Sequence, residues 1–215
     1  MDNESGLREP LSTHNYQRKT ISFAQASGGA AFNSTSVSWS ATGKWGTIKY
    51  VFIADQNHIL IYEGGFNLVV QNGVIVSINE NAVKVSIQGS KMSTYLKNKI
   101  LDHVLSKGQR TFTPPSSIYV SLWKNDGNEV SGNNYSRVAT SSDTWSQARG
   151  GRVLNSSVIM FPTPSADWGF ISKVCLHDAQ TGGNLLFTIP LENQFAVAKD
   201  RAPQFRSSYL KITLE

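Results

Sequence analysis

The chain has 215 residues, of which 40% are hydrophobic and only 16% charged, and its formal net charge is +5. That is enough apolar material for the core of one domain or of two small ones, and the scattered Lys and Arg, denser only at Arg18-Lys19, describe a mildly basic surface that does not point to nucleic acid. The lone Cys175 excludes an intramolecular disulfide and a multi-thiolate zinc site, no apolar run reaches the roughly 20 residues needed to cross a bilayer, and the acidic start Met1-Asp-Asn-Glu-Ser5 does not read as a signal peptide.

Residues 1–15 are polar and turn-rich, with Gly6, Pro10 and Asn15, and read as an extended N-terminal arm or a loosely ordered start. From Thr20 to Ile87 the pattern is strands and turns. Thr47–Ile53 alternates with apolar residues on both faces, which predicts a strand covered on both sides. Asn72-Gly73 is a hairpin-turn signal, and Val74–Ile78 and Val83–Ile87 flank a turn at Asn79–Asn81. One helix follows. Met92, Leu96, Ile100, Leu101, Val104 and Leu105 form a single stripe, Ser93 or Thr94 can cap its start, and Gly108 after Lys107 suits its end. Beyond Pro114-Pro115, Ile118, Val120 and Leu122 alternate through a strand that ends in the turn Asn125–Gly127. The Gly-Gly pairs at 28–29, 64–65, 150–151 and 182–183 read as hairpin turns.

Two stretches of the chain repeat one another. Asn33, Lys44-Trp45-Gly46, Asp55 and Ile59–Tyr62 recur as Asn155, Asp167-Trp168-Gly169, Asp178 and Asn184–Phe187. Trp to Asp spans ten residues in both copies, and Asn to Trp differs by one. Upstream, Glu9, Tyr16 and Arg18 match Glu129, Tyr135 and Arg137. Nothing before the first copy matches the helix or the Ile118–Trp123 strand, so the first unit is short of an element. It must borrow one from its sibling or a neighbouring subunit, or leave a sheet edge open.

The chain holds little that reads as catalytic. Cys175 and His177 share a strand face, but residues two apart on a strand are poorly placed to hydrogen-bond, and the first copy has Phe52 and Ala54 there. Asp55 and Asp178 lack the further carboxylates that a hard cation needs and read as turn-initiating residues. Trp45-Gly46 and Trp168-Gly169 read as strand-entry features, with a sugar-binding aromatic face as the sharper alternative. Asn33 and Asn155 head Asn-x-Ser/Thr sequons, which carry no meaning without secretion. No phosphate loop, paired-carboxylate signature or HExxH motif is present, and neither a metal nor a cofactor is expected.

Residues 92–214 resemble a family of small tailed-phage virion proteins often labelled phage tail fibre protein, a jelly-roll module also met as head decoration. The resemblance rests on an ordered series: Tyr95–Leu105, Pro115–Trp123, Asn128–Arg137 with its Glu-Val-Ser-Gly…Tyr-Ser-Arg pattern, Asn155, Phe161-Pro162, Ala166–Gly169, Asp178-Ala179 and Gly182–Phe187. It departs from the family in carrying a truncated second copy in front, and in having Asp200–Gln204 where a Gly-rich loop is expected.

Together these observations predict an all-β protein with three parts: an arm (1–15), a shortened β-sandwich unit (16–90), and a helix with a full jelly-roll-like sandwich (91–215). Trp45, Gly46, Asp55, Trp168, Gly169 and Asp178 are the recurring structural motif residues. The resemblance implies a non-enzymatic virion protein, made in the bacterial cytoplasm. It would be an external capsid decoration or a tail or fibre adaptor whose partners are itself, as a trimer or ring, and other virion proteins. The alternative is a lectin-like module that recognises host glycan.

Overall fold

The structure, a computed structural model, describes residues 9–54, 59–63, 65–88, 91–105 and 112–213. The fold is all-β with a single α-helix among these residues, as the hydrophobic patterning predicts. By internal packing the chain forms two compact units. One comprises residues 1–24 with 32–84, and the other residues 25–31 with 85–215.

In the first half of the chain, β1 (Ala30–Phe32), β2 (Val37–Ser40), β3 (Gly46–Ile48) and β4 (Val51–Ala54) are followed by β5 (Ile59–Glu63), β6 (Leu68–Val70), β7 (Ile75–Ile78) and β8 (Lys84–Ser86). They pair as short ribbons, β1 with β8, β2 with β7, β3 with β6 and β4 with β5. The last three pairings are antiparallel. Few side chains of the first unit are fully covered: Phe23, Asn33, Ala41 and Val70 among the described residues.

The second unit opens with α1 (Thr94–Leu105) and continues through β9 (Ile118–Lys124), β10 (Val138–Thr140), β11 (Arg152–Leu154), β12 (Ile159–Met160), β13 (Gly169–His177), β14 (Leu185–Val197), β15 (Gln204–Phe205) and β16 (Lys211–Thr213). Its main sheet has the order β10-β9-β13-β14, with β11-β16 and β12-β15 as further ribbons. The core gathers Val120 and Leu122 of β9, Ile171, Val174 and Leu176 of β13, and Ile159, Phe161, Trp168, Phe205 and Leu210. Ser93 caps α1 by accepting a hydrogen bond from Leu96 N at 3.2 Å. Met92 and Leu96 pack with Leu186 at the start of β14. Gly108 and Lys107, expected at the helix end, lie outside the described residues.

Four expectations change. The strand expected over Thr47–Ile53 is interrupted at Lys49-Tyr50. The corresponding place in β13 carries a register shift between Ile171 and Lys173, so both copies accommodate an irregularity there. Asn72-Gly73 is a turn with Gly73 at φ 84°, but the strands on either side pair with β3 and β2 rather than with each other. A turn signal fixes the local bend and leaves the pairing partner to distant residues. The arm expected over 1–15 is not extended where it is described. Ser12–His14 form a 3-10 turn, and His14 O accepts hydrogen bonds from Thr42 N (3.3 Å) and Trp45 Nε1 (2.8 Å), which docks this stretch onto the first unit. Residues 1–8 lie outside the described residues.

The last change concerns the boundary. Gln25–Ala31 groups with the second unit. Ala26 N donates to the buried Asp102 carboxylate at 2.7 Å and Gly29 N to Asn98 Oδ1 at 2.8 Å. Asn98 and Asp102 are four residues apart on α1 and share a face.

Candidate functional site

The Trp-Gly pair of the recurring motif is held alike in the two copies. Trp168 N donates to Val197 O (2.9 Å) and its Nε1 to Asn133 O (3.0 Å), while Trp45 N donates to Val70 O (3.0 Å) and its Nε1 to His14 O. Tyr135 meets the Trp168 ring edge-on at 5.2 Å and 88°, and Tyr16 meets Trp45 at 5.4 Å and 88°. The glycine after each Trp has a positive φ, 86° at Gly169 and 87° at Gly46. A Cβ at either would meet nothing within 4 Å, so backbone conformation, and not space, calls for glycine there. Trp168 is buried and Trp45 half-buried, and a buried ring has no face to offer a sugar.

Asp178 closes the β13–β14 turn. It accepts from Asn184 N (2.6 Å) and Asn184 Nδ2 (2.8 Å). Burial alone would raise its pKa, but these hydrogen bonds outweigh it and hold the carboxyl below its ordinary value. Asp55 lies outside the described residues.

Around Glu129 is a network that the motif spacing only hinted at. Its carboxylate accepts from Arg137 Nε (2.9 Å), Arg137 Nη2 (2.8 Å) and the Tyr135 hydroxyl (2.9 Å). Arg137 Nη1 donates to Ala179 O and Gly182 O in the β13–β14 turn. The Tyr135 oxygen in turn accepts from Leu122 N of β9 at 3.0 Å. Burial pushes the Tyr135 phenol well above its usual range, so it stays protonated. For Glu129, burial is the largest influence and raises the pKa, yet the bonds from Arg137 and Tyr135 leave the carboxyl below its ordinary value.

Cys175 and His177 do not meet. The Cys175 thiol sits 3.8 Å from Thr188 Oγ1, and burial pushes its pKa up. His177 Nε2 lies 3.0 Å from the buried Ser121 Oγ. The same hydroxyl lies 3.2 Å from Cys175 O, to which it can donate, and accepts from Trp123 Nε1 (2.9 Å). Burial, then Arg137, lowers the His177 pKa and favours the neutral ring.

The two units part company at β9. In the second unit β9 lies between β10 and β13, with Val120, Ser121 and Leu122 fully buried. In the first unit, among the described residues, β3 pairs only with β6 and β4 only with β5, and Lys19–Ile21, the counterpart of β10, belongs to no strand. Ile48, Val51 and Ile53 are half-buried, whereas their counterparts Ile171, Val174 and Leu176 are at most 2% exposed. Beside them is a groove of about 720 Å³ lined by Tyr16, Trp39, Ile48, Val51, Phe52 and Val76. In the second unit, the counterparts of Tyr16, Trp39, Ile48 and Val51 are Tyr135, Phe161, Ile171 and Val174, which pack in one cluster with Val120 and Leu122.

No group of three or more His, Cys, Asp or Glu that could hold a metal ion occurs among the described residues. The same residues contain no helix long and apolar enough to cross a membrane.

No curated protein matches the chain. A family model described as podophage GP4 fiber I protein gp80 matches residues 91–213. The match takes in α1, β9, the Glu129–Tyr135–Arg137 network and the Trp168-Gly169 entry into β13, and it spans more than half of the chain. The chain therefore belongs to the podophage GP4 fiber I protein gp80 family, a phage fibre family of structural, non-enzymatic kind.

Proposed function

We propose that this chain is an external structural component of a tailed-phage virion, a tail or fibre adaptor or a capsid decoration protein, which works through contacts between subunits. On this reading the first unit is a shortened copy of the family's module, and it supplies the contact. The observation that carries the reading is the β3–β4 edge, unpaired among the described residues, with its apolar groove, in a chain whose other half matches a phage fibre family. An open strand edge beside a groove of this kind is costly to leave exposed and serves naturally as a docking element. Oligomers of such chains close by symmetry, so a trimer or ring is the expected assembly. The partners are other copies of the chain and neighbouring virion proteins, and the place of action is the virion.

Immunogold labelling of intact particles with an antibody to this chain tests the proposal. Label on the tail or its tip supports the adaptor form, and label spread over the head supports the decoration form. Absence of the chain from purified particles, checked by mass spectrometry, overturns the virion reading.

A further inference from the structure

The groove has a template inside the same chain. In the second unit the corresponding space holds a strand, and its registration is explicit: Leu122 lies opposite Val174, Ser121 opposite Cys175 and Val120 opposite Leu176. Carried over, the first unit presents Val51, Phe52 and Ile53 to the same three positions of an antiparallel strand. The polar fittings are also in place. Tyr135 takes the Leu122 amide proton on its hydroxyl, and Tyr16 occupies the same position against Trp45 and lines the groove. The opening therefore offers a backbone edge, two apolar positions and a phenol oxygen, which together are the requirements of strand addition.

Neither residues 1–8 nor the β9 of a second copy suits as the donor. Residues 1–8 carry only Met1 and Leu7 as large apolar side chains and lack an alternating pattern. A second copy's β9 is the central strand of its own sheet, with Val120 and Leu122 fully buried. Lending it would open one groove for each groove it filled.

We propose, resting on the virion reading above, that the first unit takes its missing strand from a different virion protein: an extended segment with two branched apolar side chains flanking one small polar residue, seated antiparallel to β4.

The full-length chain tests this with a surrogate donor, a synthetic peptide of residues 115–124. The peptide should bind saturably and slow hydrogen exchange at the β3 and β4 amides. The same peptide carrying Val120→Asp and Leu122→Asp should bind at least about tenfold more weakly, a loss of about 1.4 kcal/mol or more. Equal binding of the two peptides, or no protection of β3 and β4, overturns the inference.

A second form of the protein, with residues 115–128 in place of residues 1–8, supplies the strand in cis. Its first unit should melt several degrees higher, and it should neither bind the peptide nor enter particles. If this filled form enters particles as well as the natural chain, strand acceptance is wrong and the virion reading stands. If the natural chain is itself missing from particles while the peptide binds as expected, the groove accepts strands but the virion reading fails.

Discussion

Asn33 and Asn155 carry the repeat at the scale of a single side chain. Each is fully buried. The Asn155 amide donates to Ser157 O (2.9 Å) and Arg206 O (2.8 Å), and its Oδ1 accepts from Leu210 N (2.8 Å). Asn33 donates to Thr35 O (2.9 Å) and Asn79 O (2.7 Å) and accepts from Val83 N (2.7 Å). One side chain thus satisfies three backbone groups, which only a group with both donors and an acceptor can do. The sequon reading of these residues had no consequence, because the Asn-x-Ser/Thr pattern records a buried tie. Truncation to alanine strands two carbonyls and one N–H away from water, at roughly 1–3 kcal/mol each before relaxation. Asn155→Ala should therefore cost on the order of 3 kcal/mol in urea unfolding of the second unit. An unchanged midpoint would mean that water replaces the amide and that the tie is dispensable.

Among elements, the Glu–Tyr–Arg triplet shows how one pattern has different consequences in different settings. Arg137 and Glu129 are 10% and 21% exposed and 2.8 Å apart, and Arg137 also holds two carbonyls of the β13–β14 turn. Arg18 and Glu9 keep the pairing at 2.6 Å but are 34% and 29% exposed. Arg137→Ala leaves a carboxylate short of partners in a partly covered site and should cost about 2–3 kcal/mol, a little under the range for fully buried pairs. Arg18→Ala should cost less than about 1 kcal/mol, as for a surface ion pair. Unfolding midpoints of the two variants, read in high and low salt, check this. Equal losses would show that solvent exposure is not what separates the two copies. Glu129, Tyr135 and Arg137 were legible in sequence as a repeat and a family pattern but not as a network, since the carbonyls that Arg137 reaches lie 42 and 45 residues away. The helix was more legible, because its stripe and cap are local. Its hold on Gln25–Ala31 could have been suspected from Asn98 and Asp102 sharing a face, but their partner could not be named, because the hydrogen bond to Asp102 crosses 76 residues.

Across the whole molecule, the legible features were those with short periods: strand alternation, the Trp-Gly spacing, and the lack of an Ile118–Trp123 counterpart before the first copy. The break at Lys49-Tyr50 and the pairing of β7 with β2 depend on strands brought together from afar, and sequence pattern does not choose among such partners. The lack of a β9 counterpart has a dynamic consequence that can be measured without knowing any partner. Local opening is easiest where few apolar side chains are covered and backbone edges face solvent. β13 is paired on both sides and its Ile171 and Val174 are fully buried, whereas β4, among the described residues, is paired on one side and Val51 and Ile53 are half-buried. Hydrogen exchange on the free full-length chain should therefore find β9 and β13 slowest, near the limit set by global unfolding of the second unit. Residues 46–54 should exchange orders of magnitude faster, because each 1.4 kcal/mol of opening free energy changes the rate about tenfold. Heating should melt the first unit in an earlier, separate transition, and that order depends on the groove being empty. If β3 and β4 prove as protected as β13 in the isolated chain, the first unit is already complete and its edge is covered by residues 1–8 or by another copy.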